Sequence, residues 1–175
     1  SLVSIYFIEK IIEKLNQHKI IEKNCEISLE ANPNEINKNY IEELINIGIN
    51  RISIGIQSFS DSTLRSLGRN HDSKVSFKAM ESISQFNNIR SSIDLMYGVM
   101  NQDIDSFKKD INTLKLFDLD HLSMYQLTIE PNTIFYKQQI KLPSDDEIYG
   151  MESLAHDLLK KLGIYQYEIS SWSKK

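Results

Sequence analysis

Apolar residues recur along this chain in two rhythms that take turns. Ile5, Ile8, Ile12 and Leu15 return at helical spacing after Ser4, a favourable N-cap residue. Ile27 and Leu29 instead alternate with polar neighbours, predicting a strand over Glu26–Glu30 that Asn32-Pro33 closes. Ile41, Leu44 and Ile45 share a helix face, and Gly48 follows where a C′ glycine belongs. Ile52, Ile54 and Ile56 predict the next strand. Ser60 opens a short helix ending near Gly68, and Val75, Ala79, Met80 and Ile83 mark another helix. A strand over Ile89–Leu95 and a helix carrying Phe107, Ile111 and Leu114 come next. His121–Ile129 reads as a buried strand ended by Pro131. Pro131–Pro143 is the loosest stretch, a loop with a helical turn. Ser144 opens a last helix through Leu154, Leu158 and Leu162, Gly163 stops it, and Tyr165–Ser170 forms a final strand.

Five strands alternating with helices predict an α/β fold built from βα units around a mainly parallel sheet. A dinucleotide-binding doubly wound sheet should carry a Gly-rich turn after its first strand, and no G-x-G-x-x-G occurs. A barrel gathers its reactive polar groups at the C-terminal ends of several strands. Glu30, Gln57, Asp94, Gln126 and Glu168 fall at or near such ends. Five strands do not close an eight-stranded barrel, so the expected architecture is an open, partial (β/α) barrel.

Composition narrows the function classes. With 175 residues, 41% hydrophobic, the chain suffices for one domain with a sizeable core. The net charge of −4, with Lys and Glu interspersed, offers no basic stripe for nucleic acid. No run of about 18 apolar residues predicts a membrane span. A lone cysteine, Cys25, excludes an internal disulfide framework and fits a reducing, cytoplasmic setting. The start, Ser1-Leu2-Val3 without Met, is that expected of a piece of a longer chain.

Each strand-end group has a plain structural role to weigh against a ligand role. Glu30 can accept hydrogen bonds from an amine or from sugar hydroxyls, or cap the following helix. Gln57 can serve a ligand or polarise a turn. Asp94 lies inside the apolar run Ile93-Asp94-Leu95-Met96, where a buried carboxylate needs partners, either a ligand or a structural Arg. Arg69 offers a planar fork suited to a carboxylate, or a solvated surface charge. His18, His71, His121 and His156 show no metal-ligand spacing. Ser58, Ser123 and Ser170 lack the G-x-S-x-G setting of a nucleophile. The residues by themselves indicate a polar ligand pocket at the top of a partial barrel.

Six segments then carry a resemblance. They are Glu30-Ala31-Asn32-Pro33, Asn50 through Phe59 (NRISIGIQSF), Leu67-Gly68-Arg69-Asn70-His71, Ile93 through Gly98 (IDLMYG), Tyr125 through Thr133 (YQLTIEPNT) and Tyr167-Glu168-Ile169-Ser170. In this order and at these intervals the chain, from Leu2 to about Trp172, resembles the HemN/HemW family of radical S-adenosylmethionine (SAM) proteins. That resemblance implies a partial barrel of the radical SAM type, here truncated to about five parallel strands. Residues 1–175 would be its central and C-terminal part, without the cluster-binding N-terminal segment and the downstream domain. Ser1-Leu2 would follow the family's Gly-rich strand end.

The resemblance also implies cofactors and roles. A [4Fe–4S] cluster would be held by a C-x-x-x-C-x-x-C loop outside these residues. By position, Glu30, Gln57, Arg69 and Asp94 match the family's SAM contacts, and Thr128 corresponds more loosely to a residue near SAM. In the oxidase branch, oxygen-independent coproporphyrinogen III oxidase, a SAM-derived radical drives decarboxylation of porphyrinogen propionates in haem biosynthesis. The segments look more like the HemW branch, understood as haem-binding chaperones, so SAM and haem are the implied partners, with a porphyrinogen as the alternative. The branch's His-containing haem motif would fall after Lys175. The chain departs from the family after Gly98, carrying Val99-Met100 where Leu-Pro is usual. A silent βα fragment is the remaining reading for these residues alone.

Overall fold

A computed structural model describes residues 3–174; Ser1, Leu2 and Lys175 lie outside the described residues. Helix α1 (Ile5–Gln17) starts after Ser4 as expected and buries Ile8 and Ile12. Strand β1 (Ser28–Ala31) begins two residues later than the alternation predicts. The reason is local: the Asn50 side chain accepts from the Ile27 N–H at 2.8 Å and donates to the Cys25 carbonyl at 2.9 Å. Those groups are thereby satisfied outside the ladder. A 3-10 turn, Pro33–Glu35, and helix α2 (Lys38–Asn46) lead to β2 (Arg51–Gln57). Helices α3 (Asp61–Ser66) and α4 (Ser73–Ile83) precede β3 (Arg90–Tyr97). Helix α5 (Ile104–Thr113) leads through a 3-10 turn to β4 (His121–Gln126).

The chain leaves the sheet after Gln126, earlier than Pro131, and the loose stretch holds one helical turn, α6 (Ile134–Lys137). Helix α7 (Asp145–Lys161) is capped by Ser144, whose hydroxyl accepts from the Glu147 N–H. Its buried face is Ile148, Met151, Ala155 and Leu159. Leu158 and Leu162, expected on that face, flank it half-buried. Strand β5 (Ile164–Glu168) then turns through Ile169-Ser170 into β6 (Ser171–Lys174), which the sequence reading missed.

Among the described residues the six strands form one sheet in the order β1-β2-β3-β4-β6-β5. Strands β1 to β4 pair in parallel. Strand β6 is antiparallel to both β4 and β5, so β5 points the same way as β4. The five expected strands therefore share one direction, with a reversed strand inserted before the last. The turn that makes it, Ile169-Ser170, carries no Gly, Asn or Pro, and Ser170 takes φ 58°.

The two faces of the sheet differ. Ile52, Ile54, Ile56, Ile93, Leu95, Leu122 and Trp172 pack with Ile41, Leu44, Met80, Phe107, Ile111 and Leu159 in one core. The opposite face presents Glu30 beside Ser53 on β1 and β2, and, two residues further along β3, Asp94 beside Ser123 of β4. Parallel strands buried on both faces read as continuous apolar runs. These strands alternate instead, because one face is a polar chamber wall. At the divergent Val99-Met100, Gly98 adopts φ 67° and Val99 is fully buried. The Gln102 side chain accepts from the Val99 N–H at 3.2 Å and closes that turn.

Candidate ligand-binding site

Four of the five residues singled out from the sequence line one cavity of about 270 Å³ at the C-terminal ends of β1 to β3: Glu30, Gln57, Arg69 and Asp94. Glu30 projects from the penultimate position of β1, and Asp94 from the middle of β3. Thr128 does not line it; exposed after β4, it donates to Glu130 at 3.3 Å. Gln126 and Glu168 do not line it either.

Asp94 is half-buried and accepts from the Ser53 hydroxyl at 3.3 Å. Burial pushes its carboxyl above the usual range, against the hydrogen bonds from Ser123 and Ser53, and the nearby Glu30 charge pushes the same way. The structural Arg partner that its apolar surroundings allowed for is missing: among the described residues no basic side chain forms an ion pair with it.

Among the described residues Arg69 forms no ion pair either. Its Nη2 donates to Asn32 Oδ1 at 3.0 Å and to the Gly55 carbonyl at 3.5 Å, both neutral acceptors. Its Nε is buried and has no acceptor. A guanidinium held in place with unused donors is prepared for an anion. Gln57 ends β2 at a register shift, with φ 66°, an uncommon backbone for a residue with a Cβ. Beside it, a Cβ on Gly55 would lie 2.9 Å from Gln57 Nε2 and 3.5 Å from Arg69 Nη2. Bare backbone at Gly55 gives both polar groups their room.

Asn32, Ser53 and Gly55 are cavity residues that the sequence reading passed over. A signal existed for Gly55, since a glycine inside a strand marks close approach of another group. No comparable signal distinguished Asn32 or Ser53.

Among the described residues no group of His, Cys, Asp and Glu is arranged to hold a metal, and Cys25 is exposed. Residues 4–114 match the Radical SAM superfamily. The chain belongs to that superfamily. It is 40% identical over 99% of its length to the heme chaperone HemW of Buchnera aphidicola subsp. Acyrthosiphon pisum, covering 46% of that protein. It is 37% identical, again over 99%, to the heme chaperone HemW of Haemophilus influenzae, covering 45% of it. The chain thus spans about half the length of the curated relatives it matches. Among solved structures, coproporphyrinogen III oxidase (HemN) from Escherichia coli superposes with a TM-score of 0.87 at 23% identity, over 98% of this chain and 40% of that one. That likeness shows the fold, a radical SAM fold with a mainly parallel sheet. Superfamily membership implies SAM and a [4Fe–4S] cluster. With one cysteine in 175 residues, a three-cysteine cluster site is not supplied here. No helix among the described residues is long and apolar enough to cross a membrane.

Proposed function

We propose that these residues form the SAM-holding part of a haem chaperone of the HemW type. The observation that carries this reading is the unpaired guanidinium of Arg69, facing the same cavity as Glu30, Gln57 and Asp94. SAM brings a carboxylate, an ammonium and ribose hydroxyls. Arg69 would take the carboxylate, its vacant donors replacing water at a charged partner. Asp94 and Glu30, both acceptors when ionised, would take the ammonium and hydroxyls, and Gln57 can donate and accept. The cavity is near the lower limit of ligand pockets in size, which suits the polar end of the cofactor. Thr128, exposed on the neighbouring loop, would at most flank it. When bound with a reduced cluster, SAM supplies a carbon radical, and this chain's contribution is to fix its polar end. Asp94 gives up its proton at a higher pH than an exposed Asp. A cationic group on this carboxylate is therefore lost progressively on acidification.

The branch rests on the HemW relatives at 37–40% identity, set against a HemN match that shows fold alone. The test uses the full-length protein, anaerobically loaded with its cluster. Calorimetry with SAM and absorbance titration with haem should both show binding, with no carbon dioxide released from coproporphyrinogen III. Multiple-turnover decarboxylation would move the protein to the oxidase branch. Absence of SAM binding would overturn the cavity assignment itself.

A further inference from the structure

Asp110 belongs to α5, away from the cavity, and is 2% exposed. Among the described residues no basic side chain pairs with it. Both of its oxygens are used on one short segment of another element. Oδ2 accepts from the Ser58 hydroxyl at 2.6 Å, and Oδ1 accepts from the Phe59 N–H at 2.8 Å. Ser58 Oγ in turn accepts from the Ser60 N–H at 3.0 Å. One carboxylate thus fixes the three residues that follow Gln57.

That segment joins two of the cavity's polar groups. Gln57 precedes it in the left-handed conformation, which persists only where the surroundings over-determine it. Ser60 is the N-cap of α3, and the Arg69 N–H donates to the Leu64 carbonyl of that helix at 2.9 Å. A buried carboxylate without a counter-charge is a poor device for stability, since well-packed apolar residues of similar volume do as well or better. Its two aligned bonds to a loop make it a good device for position. We propose that Asp110 is a positioning residue for the cavity, clamping Ser58–Ser60 so that Gln57 keeps its left-handed backbone and its amide faces Arg69.

The affinity arm of the test rests on the reading that the cavity binds SAM; the structural arm does not. In the full-length, cluster-loaded protein, Asp110→Ala should weaken SAM binding about tenfold, but less than about twofold in a Gln57→Ala background, because the two changes act through one group. Asp110→Asn should restore most of the affinity. Its amide oxygen still accepts from Phe59, and its NH₂ can donate to Ser58 Oγ. Equal losses in both backgrounds, or no loss in either while Gln57→Ala itself weakens binding, would overturn the proposal. If Gln57→Ala leaves SAM binding unchanged, the cavity reading has failed, and the crystal structure of the Asp110→Ala protein decides. Gln57 leaving φ near 66° upholds the clamp, and Gln57 unmoved rejects it. Should Asp110→Ala fail to fold, Ser58→Ala carries the same cycle, removing the hydroxyl bond and the Ser60 tether while keeping the Phe59 bond.

Discussion

The two ends of the sheet carry similar side chains in opposite states. At the N-terminal end of the strands, Glu26 bridges Arg51 and Arg90 at 3.5 and 3.4 Å. There Asp120 accepts from the Ser91 N–H at 2.8 Å, and His121 is held between Ser92 and Tyr167 at 2.9 and 2.8 Å. A polar cavity of about 440 Å³, the larger of the two, also lies at that end, lined by Asn50, Arg90, Asp118 and Asp120 among others. At the C-terminal end, among the described residues, Arg69 meets only neutral acceptors and leaves Nε without one, and Asp94 meets serine hydroxyls but no ion-pair partner, the Arg51 charge acting on it only as a minor influence. Polar density and cavity size favour the first end. Unsatisfied hydrogen-bonding capacity favours the second, and it is the better guide, because a buried polar group left unpaired costs free energy until something pairs with it.

The largest expected effect breaks this comparison at its sharpest point. Arg69→Ala in the full-length protein should weaken SAM binding by roughly 2–5 kcal/mol, the cost of leaving a charged partner unpaired. Its melting temperature should barely change, since Arg69 closes no ion pair in the unliganded chain. Asp94→Asn should fall in the same affinity range. If calorimetry shows affinity intact in both variants while melting falls, then Arg69 and Asp94 are structural like Arg51, and the distinction between the ends collapses.

A carboxylate that is buried without a cation should also announce itself in the pH dependence of stability. Burial pushes Asp110 up to about 6, opposed by its bonds from Ser58 and Phe59. Its folded value lies above the unfolded one, so the folded state binds more protons between about pH 4 and 6. Stability from this group is therefore greatest below pH 4, falls as pH rises through 6, and is flat beyond, an effect of about 3 kcal/mol. Asp110→Asn should flatten that slope. Melting curves of both proteins from pH 4 to 7.5 check it, and superimposable pH profiles would refute it.

What the sequence made legible follows from where each signal is stored. Strand-end polar residues after apolar alternation are a local pattern, so Glu30, Gln57 and Asp94 were readable, and so was the shared direction of the five strands. The resemblance added Arg69, which no local pattern separates from a surface Arg. Asn32 and Ser53 were not readable, because their roles exist only through partners 37 and 41 residues away. Asp110 was hidden for the same reason. It lies on α5 beside Phe107 and Ile111, and its partners are 51 and 52 residues earlier. Strand β6 escaped because its pattern, one Trp between two serines, is too short to announce a strand. Thr128 came from position within a motif alone: the chain leaves the sheet at Gln126, and the side chain faces solvent outside the cavity.

A smaller effect sharpens the contrast from within the cavity. Gly55→Ala puts a Cβ 2.9 Å from Gln57 Nε2, the far end of a flexible side chain, so the backbone should hold and the amide should move. SAM affinity should drop by about 1 kcal/mol with the melting temperature within about 2 °C of wild type. An equal substitution cost in stability, with affinity untouched, would show Gly55 to be a packing position of the sheet.

The smallest effect belongs to the closed end, where the comparison expects stability to respond and binding to be silent. Glu26 faces Arg51, a quarter exposed, and Arg90, two-thirds exposed, so water screens both pairs. Glu26→Gln should lower stability by only about 0.5–1 kcal/mol. Because exposed charges are screened within about 10 Å at 0.1 M salt, the loss should shrink further as salt is raised toward 1 M. SAM affinity should be unchanged at every salt concentration. Denaturant melts in low and high salt, beside calorimetric titration, separate the two quantities. A loss of SAM affinity in Glu26→Gln, with stability intact, would mean that the Arg51–Arg90 pair also serves a ligand and that the N-terminal end is not closed at all.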